Sequence, residues 1–259
     1  MPLDLITRLG SRAMVPGDER TGREIADYVE LMVRPGVPQE LDDLLGGRSR
    51  SFGRLDPVRV RALARALADP PGAEFNRVRL GAAAGVPPTT LPPYVDLLVQ
   101  LGVVALVPGC RSPVARRAIG RPRVVFTDVA VARHLAGCPA PDLVAFSGRR
   151  LLSPLLRNLV AAELLRQQAE SAAGYRISHL RERNGLAVDL VVELPDDTLY
   201  GIEVRTAASL RPHQFDGLRA LRTRAGGRFR GGIVLNTAAT GHVYGPRLWS
   251  LPIATLWEG

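Results

Sequence analysis

The first half of the chain combines short helical periods with strong turn signals. Apolar residues in 25–32 recur at helical spacing, and the period breaks at 34–36, where Arg-Pro-Gly indicates a turn. Residues 57–67 give the clearest helix, with Asp56 as N-cap, Pro57 in the first position and Pro-Pro-Gly at 70–72 as the stop. Residues 1–22 show no sustained period, and we expect them to be frayed.

A second group of elements lies between residues 80 and 126. The pattern predicts a short helix from about Leu80 to Gly85, then a second helix capped by Thr89 or Thr90. The segments "VVALVP" and "RVVFTD" read as strands on either side of an arginine-rich loop. Two helices, a strand, a loop and a strand predict a winged helix-turn-helix.

The second half of the chain reads as a mixed sheet with helices. An amphipathic helix is predicted from Ser153 as N-cap and Pro154 as first residue, through "SPLLRNLVAAELLRQQAE". Three strands follow within "YRISHLRE" and the hairpin at 185–207, then a helix in "RPHQFDGLRALRTRA" and a strand in "GGIVLNT". The predicted class is α/β (α+β), with an N-terminal helical remnant at 1–50, the winged helix at 51–140 and the sheet domain at 141–259.

The hairpin carries the strongest candidate chemistry. A three-residue loop at 195–197 pairs Leu194 with Thr198, and this register puts Asp189 opposite Glu203. Because side chains alternate along a strand, the residues divide between the two faces of the hairpin. One face carries Asp189, Val191, Glu203 and Arg205, and the other carries Val188, Leu190, Ile202 and Val204. Adjacent carboxylates repel unless a positive charge lies between them. A divalent cation such as Mg²⁺ is one solution, and the arginine two residues on is the other.

Composition changes this picture only slightly. The chain is 46% hydrophobic over 259 residues, enough for a core. Its net charge of +9 would suit nucleic acid, but all 34 basic residues are arginine, which indicates a GC-rich genome as much as a binding surface. Cys110 and Cys138 form no metal or disulfide motif. With neither a secretory signal nor an apolar run long enough for a bilayer, we expect a cytoplasmic protein that does not engage membranes.

Nucleic-acid binding depends on where the arginines lie. No arginine occurs between Leu80 and Cys110, so the second helix of the predicted winged helix favours packing or protein contact over DNA reading. The following loop is the better nucleic-acid candidate, and a solvated loop is the equal alternative. Its arginines are Arg111, Arg116, Arg117, Arg121 and Arg123.

Several segments together resemble a known family. "AVDLVVELPDDTLYGIEVRTA" resembles the "EVDFVL … G … IEVK" signature of the PD-(D/E)xK nuclease-like fold, also called restriction-endonuclease-like. The order of "DYVELMVRPGVPQEL", "RPRVVFTDVAVARHL", "LLRNLVAAEL" and "LPIATLW" is similar to the carboxy-terminal half of bacterial AAA-type ATP-binding proteins, over residues 23 to 259. That half ends in a domain of unknown function. The chain has no GxxxxGK[ST] motif, so the resemblance implies a short form without its own nucleotide site, and an ATPase as a protein partner.

The resemblance also assigns candidate site residues. Asp189 and Glu203 match the acidic positions of the nuclease fold, and Glu163 matches a later helical acid. Arg205 stands where lysine is expected, and Arg157 stands where glutamate is common. A guanidinium keeps its charge and binds carboxylates. With arginine at 157 and 205, the summed charge of positions 157, 189, 203 and 205 is zero, whereas the family's residues would give two negative charges. The electrostatic field that would attract a divalent cation is therefore lost.

Two functional classes therefore remain. The first is a non-enzymatic scaffold or regulatory partner without metal or cofactor, which binds protein or, non-specifically, DNA. The second is a Mg²⁺-dependent DNA endonuclease that uses Asp189 and Glu203. The degenerate, non-cleaving site is the favoured interpretation. The sequence does not determine the oligomeric state.

Overall fold

The computed structural model describes residues 4–11, 20–45, 53–115, 120–145, 149–183 and 185–258. The α-helices in this part of the chain are α1 (Leu5–Gly10), α2 (Ile25–Glu30), α3 (Val37–Leu45), α4 (Pro57–Leu67), α5 (Arg77–Ala84), α6 (Pro92–Gln100), α7 (Val129–Leu135), α8 (Ala140–Val144), α9 (Arg149–Glu170) and α10 (Asp216–Ala225). The strands are β1 (Val104–Val107), β2 (Arg123–Phe126), β3 (Arg176–Arg181), β4 (Ala187–Glu193), β5 (Leu199–Val204), β6 (Phe229–Asn236), β7 (His242–Gly245) and β8 (Leu248–Pro252).

The predicted α+β class is confirmed. Most helices precede the main sheet, which is mixed and has the strand order β3-β4-β5-β6-β8-β7. The β5/β6 and β6/β8 pairs are parallel, and the other pairs of this sheet are antiparallel. Strands β1 and β2 form a separate two-stranded sheet. None of the helices described has the length and apolar character that crossing a bilayer requires.

The chain divides into two compact units. We call Met1–Ile25, Val107–Gly120 and Glu163–Gly259 the sheet unit, and Ala26–Leu106 with Arg121–Ala162 the helical unit. The helical unit contains α3 to α8, and the sheet unit contains the six-stranded sheet and α10.

The helical unit follows the predicted order of elements but differs at two helix starts. Helix α4 has Asp56 as N-cap, as predicted. Helix α5 begins at Arg77, earlier than predicted, because the Asn76 side chain accepts from two free backbone N–H groups of its first turn. The threonine cap predicted for α6 is wrong: Leu91 is the N-cap without a side-chain bond, and the Thr90 hydroxyl donates to the Pro87 carbonyl instead.

Helix α9 also begins earlier than its proline suggested. The predicted start at Ser153 is wrong, since the helix runs from Arg149 and holds Pro154 in its interior. A proline there removes one backbone hydrogen bond. Leu151 and Leu152 are buried, so the apolar face extends toward the N-terminus and compensates for that loss.

The N-terminal segment is ordered within the sheet unit, so the expectation of a frayed start is wrong for its described residues. Leu5 is fully buried, and its N–H donates to the Gln167 side chain at 3.2 Å. The buried Arg8 guanidinium donates to the Glu258 carbonyl at 2.9 Å and to the Thr255 carbonyl. The short apolar period of α1 is too weak to predict a helix alone, and tertiary packing supplies its stability.

Candidate functional site

The candidate site lies at one end of the β4–β5 hairpin. The predicted register is confirmed, since the Leu194 N–H donates to the Thr198 carbonyl at 2.8 Å and the ladder continues to the pair of Leu190 with Ile202. Beyond this last pair, the Val204 N–H donates to a carboxylate oxygen of Asp189 at 3.1 Å. A side chain thus takes over the role of a backbone acceptor where the two strands separate.

Strict alternation fails next to this position. Val188 was predicted on the face opposite Val191, but it lies 3.6 Å from where a Cβ of Gly201 would stand, and Gly201 pairs directly with Val191. The cause is a bulge: β3 advances from Ser178 to Leu180 while β4 advances from Val191 to Val188, which leaves one extra residue in β4. The bulge changes the direction of the side chains around Asp189.

Arg205 bridges the two predicted acids. Its guanidinium lies 3.3 Å from Asp189 Oδ2 and 2.8 Å from Glu203 Oε2, and it also donates to the Val204 carbonyl at 2.9 Å. The Glu203 side chain is only 6% exposed and that of Asp189 16%, against 30% for Arg205. Both carboxylates therefore have one shared, partly buried counter-charge.

Burial also changes the protonation of Glu203. Loss of solvent and, second, the nearby Asp189 raise the pKa of its carboxyl, Arg205 lowers it, and the net pKa is about 8 against the ordinary value of 4.5. Near neutral pH, Glu203 accordingly holds a proton and is hydrogen-bonded to Asp189. Arg205 then faces one carboxylate charge rather than two, and the cluster is close to neutral.

The backbone of α10 closes the site on another side. A Cβ at Gly217 would lie 2.4 Å from the Ala187 carbonyl oxygen and 3.1 Å from Glu203 Oε1. Only glycine allows the first turn of α10 to approach β4 and β5 this closely. The helix thereby excludes water from Glu203, which explains the direction of its pKa.

This arrangement does not fit a Mg²⁺ ion. A hard cation requires ionised oxygen ligands and room for water, whereas Glu203 favours its protonated form and Arg205 lies against both acids. Across the described ranges, no three His, Cys, Asp or Glu side chains are grouped so that they could hold a metal. The residues are arranged for an internal ion pair.

The third predicted acid takes part in a different network. Glu163 accepts from Arg166 at 2.7 Å and from the Gln167 amide at 2.8 Å. Gln167 also donates to the Leu256 carbonyl and accepts the N–H of Leu5, so Glu163 supports the docking of the chain's two ends. Arg157, for its part, donates to the Ser153 hydroxyl at 3.2 Å.

The described start of the arginine-rich loop pairs with the sheet of its own unit. The Cys110 N–H donates to the His179 carbonyl at 2.7 Å, and the His179 N–H donates to the Pro108 carbonyl at 2.9 Å, so the loop pairs with the edge strand β3. Cys110 and Val114 are buried in the core cluster under α10. The described part of this loop is therefore partly buried.

The predicted nucleic-acid arginines are distributed unevenly around this anchor. Arg111 and Arg121 are exposed, and Arg123 is half-buried at the start of β2. Arg116 and Arg117 lie outside the described residues. The structure thus leaves Arg111 and Arg121 accessible at the two ends of the loop.

The sequence analysis did not predict one buried ion pair, between Arg224 and Glu182. Arg224 of α10 donates to Glu182 at 2.5 Å and to the Val114 carbonyl at 3.4 Å, and the Glu182 side chain is almost fully buried. Arg224 therefore connects α10 to the arginine-rich loop and to the end of β3. No local pattern predicts this pair, because its partners are 42 positions apart.

In comparisons with known proteins, each half of the chain matches the model of a domain of unknown function. Residues 153–256 match the model of a domain of unknown function, DUF4143, and residues 48–142 match that of a second domain of unknown function, DUF8612. No curated protein and no solved structure matches the chain. By sequence, then, the chain is similar over most of its length to two domains whose functions are not defined.

Proposed function

We propose that this protein is a non-enzymatic interaction module, in which a nuclease-like sheet has lost its catalytic centre to an internal ion pair. The observation that carries the proposal is the Arg205 guanidinium, which lies 3.3 Å from Asp189 and 2.8 Å from Glu203. In a working PD-(D/E)xK site, the acids hold a divalent cation and a lysine assists the attacking water. Here a permanently charged guanidinium takes the place of the cation, and it cannot serve as a base.

The alternative of a Mg²⁺-dependent endonuclease is less well supported by the same geometry. A cation would need to displace Arg205 and remove the proton of Glu203, whose pKa is raised to about 8. It would also need ligands beyond this pair, and Glu163 is held by Arg166 and Gln167. Each requirement opposes metal binding near neutral pH.

The proposed partner is a protein, and the resemblance to the carboxy-terminal half of AAA-type proteins suggests an ATPase acting in trans in the cytoplasm. Helix α6, the second helix of the proposed winged helix, supports this preference, because its one charged residue is Asp96 and its exposed side chains include Val99 and Gln100. Such a surface suits protein contact better than a phosphate backbone. The alternative for this module is non-specific association with DNA through Arg111 and Arg121.

Incubation of the purified protein with supercoiled plasmid separates the module from the enzyme. We expect no nicked or linear product with Mg²⁺ or Mn²⁺, and the same result for Asp189→Ala. Cleavage by the wild type that disappears in Asp189→Ala would contradict the proposal. Retardation of the plasmid in EDTA at low salt, lost as salt rises, would identify the DNA-associated form, whereas its absence would leave protein binding alone.

A further inference from the structure

Exposed arginines gather around the start of α5 in the helical unit. Arg77 and Arg79 lie in the first turn of this helix, and both side chains are exposed. The Arg79 guanidinium donates to the Asp69 carbonyl at 3.3 Å. Among the residues that the structure describes, neither arginine has a carboxylate partner, so both charges remain available to a ligand.

The start of β2 brings further arginines to the same place. The segment before α5 pairs with it, since the Phe75 N–H donates to the Pro122 carbonyl at 2.8 Å. Arg121 and Arg123 lie on either side of Pro122, and Glu74 faces Arg123 in this ladder. The pairing therefore adds two arginines and one acid beside the start of α5.

Helix α9 contributes a fifth arginine through a shared acid. Arg150 lies in its first turn, 3.7 Å from the Asp69 carboxylate, and the carbonyl of the same Asp69 accepts from Arg79. The Arg150 and Asp69 side chains are 72% and 55% exposed, so water separates this pair easily. We call the five arginines together the α5 surface: Arg77, Arg79, Arg121, Arg123 and Arg150.

We propose that the α5 surface binds the phosphate backbone of duplex DNA without reading the base sequence, an inference that rests on the DNA-associated alternative of the proposed function. A duplex presents closely spaced negative charges along its whole length, so arginines from three elements can contact several phosphates at once. Protein interfaces usually centre on aromatic or other large anchors. The exposed side chains at 77–79 are two arginines around a valine, which suits a polyanion better than an acidic protein.

Fluorescence anisotropy of a short labelled duplex, titrated with the full chain in EDTA, measures this binding in the absence of cleavage. We expect equal affinity for two duplexes of unrelated sequence, and an affinity that falls steeply as KCl rises from about 50 to about 200 mM. Arg77→Gln/Arg79→Gln should weaken binding about tenfold at the lowest salt. The slope of log affinity against log salt should fall by about two, because two phosphate contacts are lost.

Two control variants separate the α5 surface from net charge and from folding. Arg176→Gln/Arg183→Gln removes the same charge from exposed positions of the sheet unit, and it should change the affinity by less than about twofold. Arg77→Lys/Arg79→Lys keeps the charge at the start of α5 and should keep most of the affinity, since a phosphate accepts from lysine as well.

Three results would overturn the proposal: equal losses in the two glutamine pairs, no binding at about 50 mM KCl, or binding of poly-L-glutamate as tight as that of the duplex. The last result would identify a surface for acidic proteins. If Arg111→Gln abolished binding and Arg77→Gln/Arg79→Gln did not, the α5 surface would be wrong while the DNA-associated module remained. Cleavage of plasmid is a separate readout, so failure of the non-enzymatic proposal is distinguishable from each of these results.

Discussion

Replacement of Arg205 by alanine is expected to lower the free energy of unfolding of the sheet unit by about 3 kcal/mol. The variant leaves the carboxylate of Asp189, whose side chain is only 16% exposed, without its counter-charge beside the buried Glu203. Loss of one partner of a buried pair costs about 3–5 kcal/mol, and the lower end applies here because Arg205 is partly solvated. Urea denaturation followed by tryptophan fluorescence measures the change. Trp249 and Trp257 both lie in the sheet unit, so the signal reports on the correct part of the chain.

Arg230→Ala is the matched control for this substitution. Arg230 pairs with Asp196 at 2.6 Å in the same unit, but the two side chains are 36% and 51% exposed. An exposed pair contributes about 1 kcal/mol or less. If Arg205→Ala destabilised the protein no more than Arg230→Ala, the guanidinium would not hold the acids together in the way described.

Glu203→Gln is expected to change how stability depends on pH. The folded-state pKa of Glu203 is about 8, above the ordinary value of 4.5. Between these two values the folded protein holds a proton that the unfolded chain has released, so the free energy of unfolding falls as pH rises. The glutamine side chain does not ionise, and the corresponding slope should disappear.

The measured quantity is the difference in free energy of unfolding between wild type and Glu203→Gln at pH 5.5 and pH 8.5. As pH rises over this range, the wild type should lose about 3 kcal/mol of unfolding free energy relative to Glu203→Gln, and other titrating groups cancel in the comparison. Stability curves that remain parallel over this range would show that Glu203 is ionised in the folded protein. Arg205 would then hold two carboxylate charges.

The hairpin was predictable because its information is local. The loop length fixes the pairing of Leu194 with Thr198, and that register brings Asp189 to Glu203. The bulge in β4 was not predictable, since no glycine or proline marks it. It arises where the strands separate and the Val204 N–H bonds to Asp189 instead of to a backbone carbonyl.

Other features depend on contacts between distant parts of the sequence. The docking of α1 requires Gln167 and the C-terminal carbonyls, none of which a reading of residues 1–22 can include. The arginine-rich loop looked polar by composition, yet Cys110 and Val114 are its anchors in the core. Local composition describes the exposed part of a loop well and its anchoring residues poorly.

The binding of Mn²⁺ by the purified protein tests the central claim most directly, because the signal of free Mn²⁺ in electron paramagnetic resonance falls when the ion is bound. If Arg205 occupies the place of a cation, the wild type at neutral pH should leave as much free Mn²⁺ as Asp189→Asn and Glu203→Gln do. A loss of signal in the wild type that both variants restore would show a metal held jointly by Asp189 and Glu203. That result would contradict the internal ion pair and favour the endonuclease.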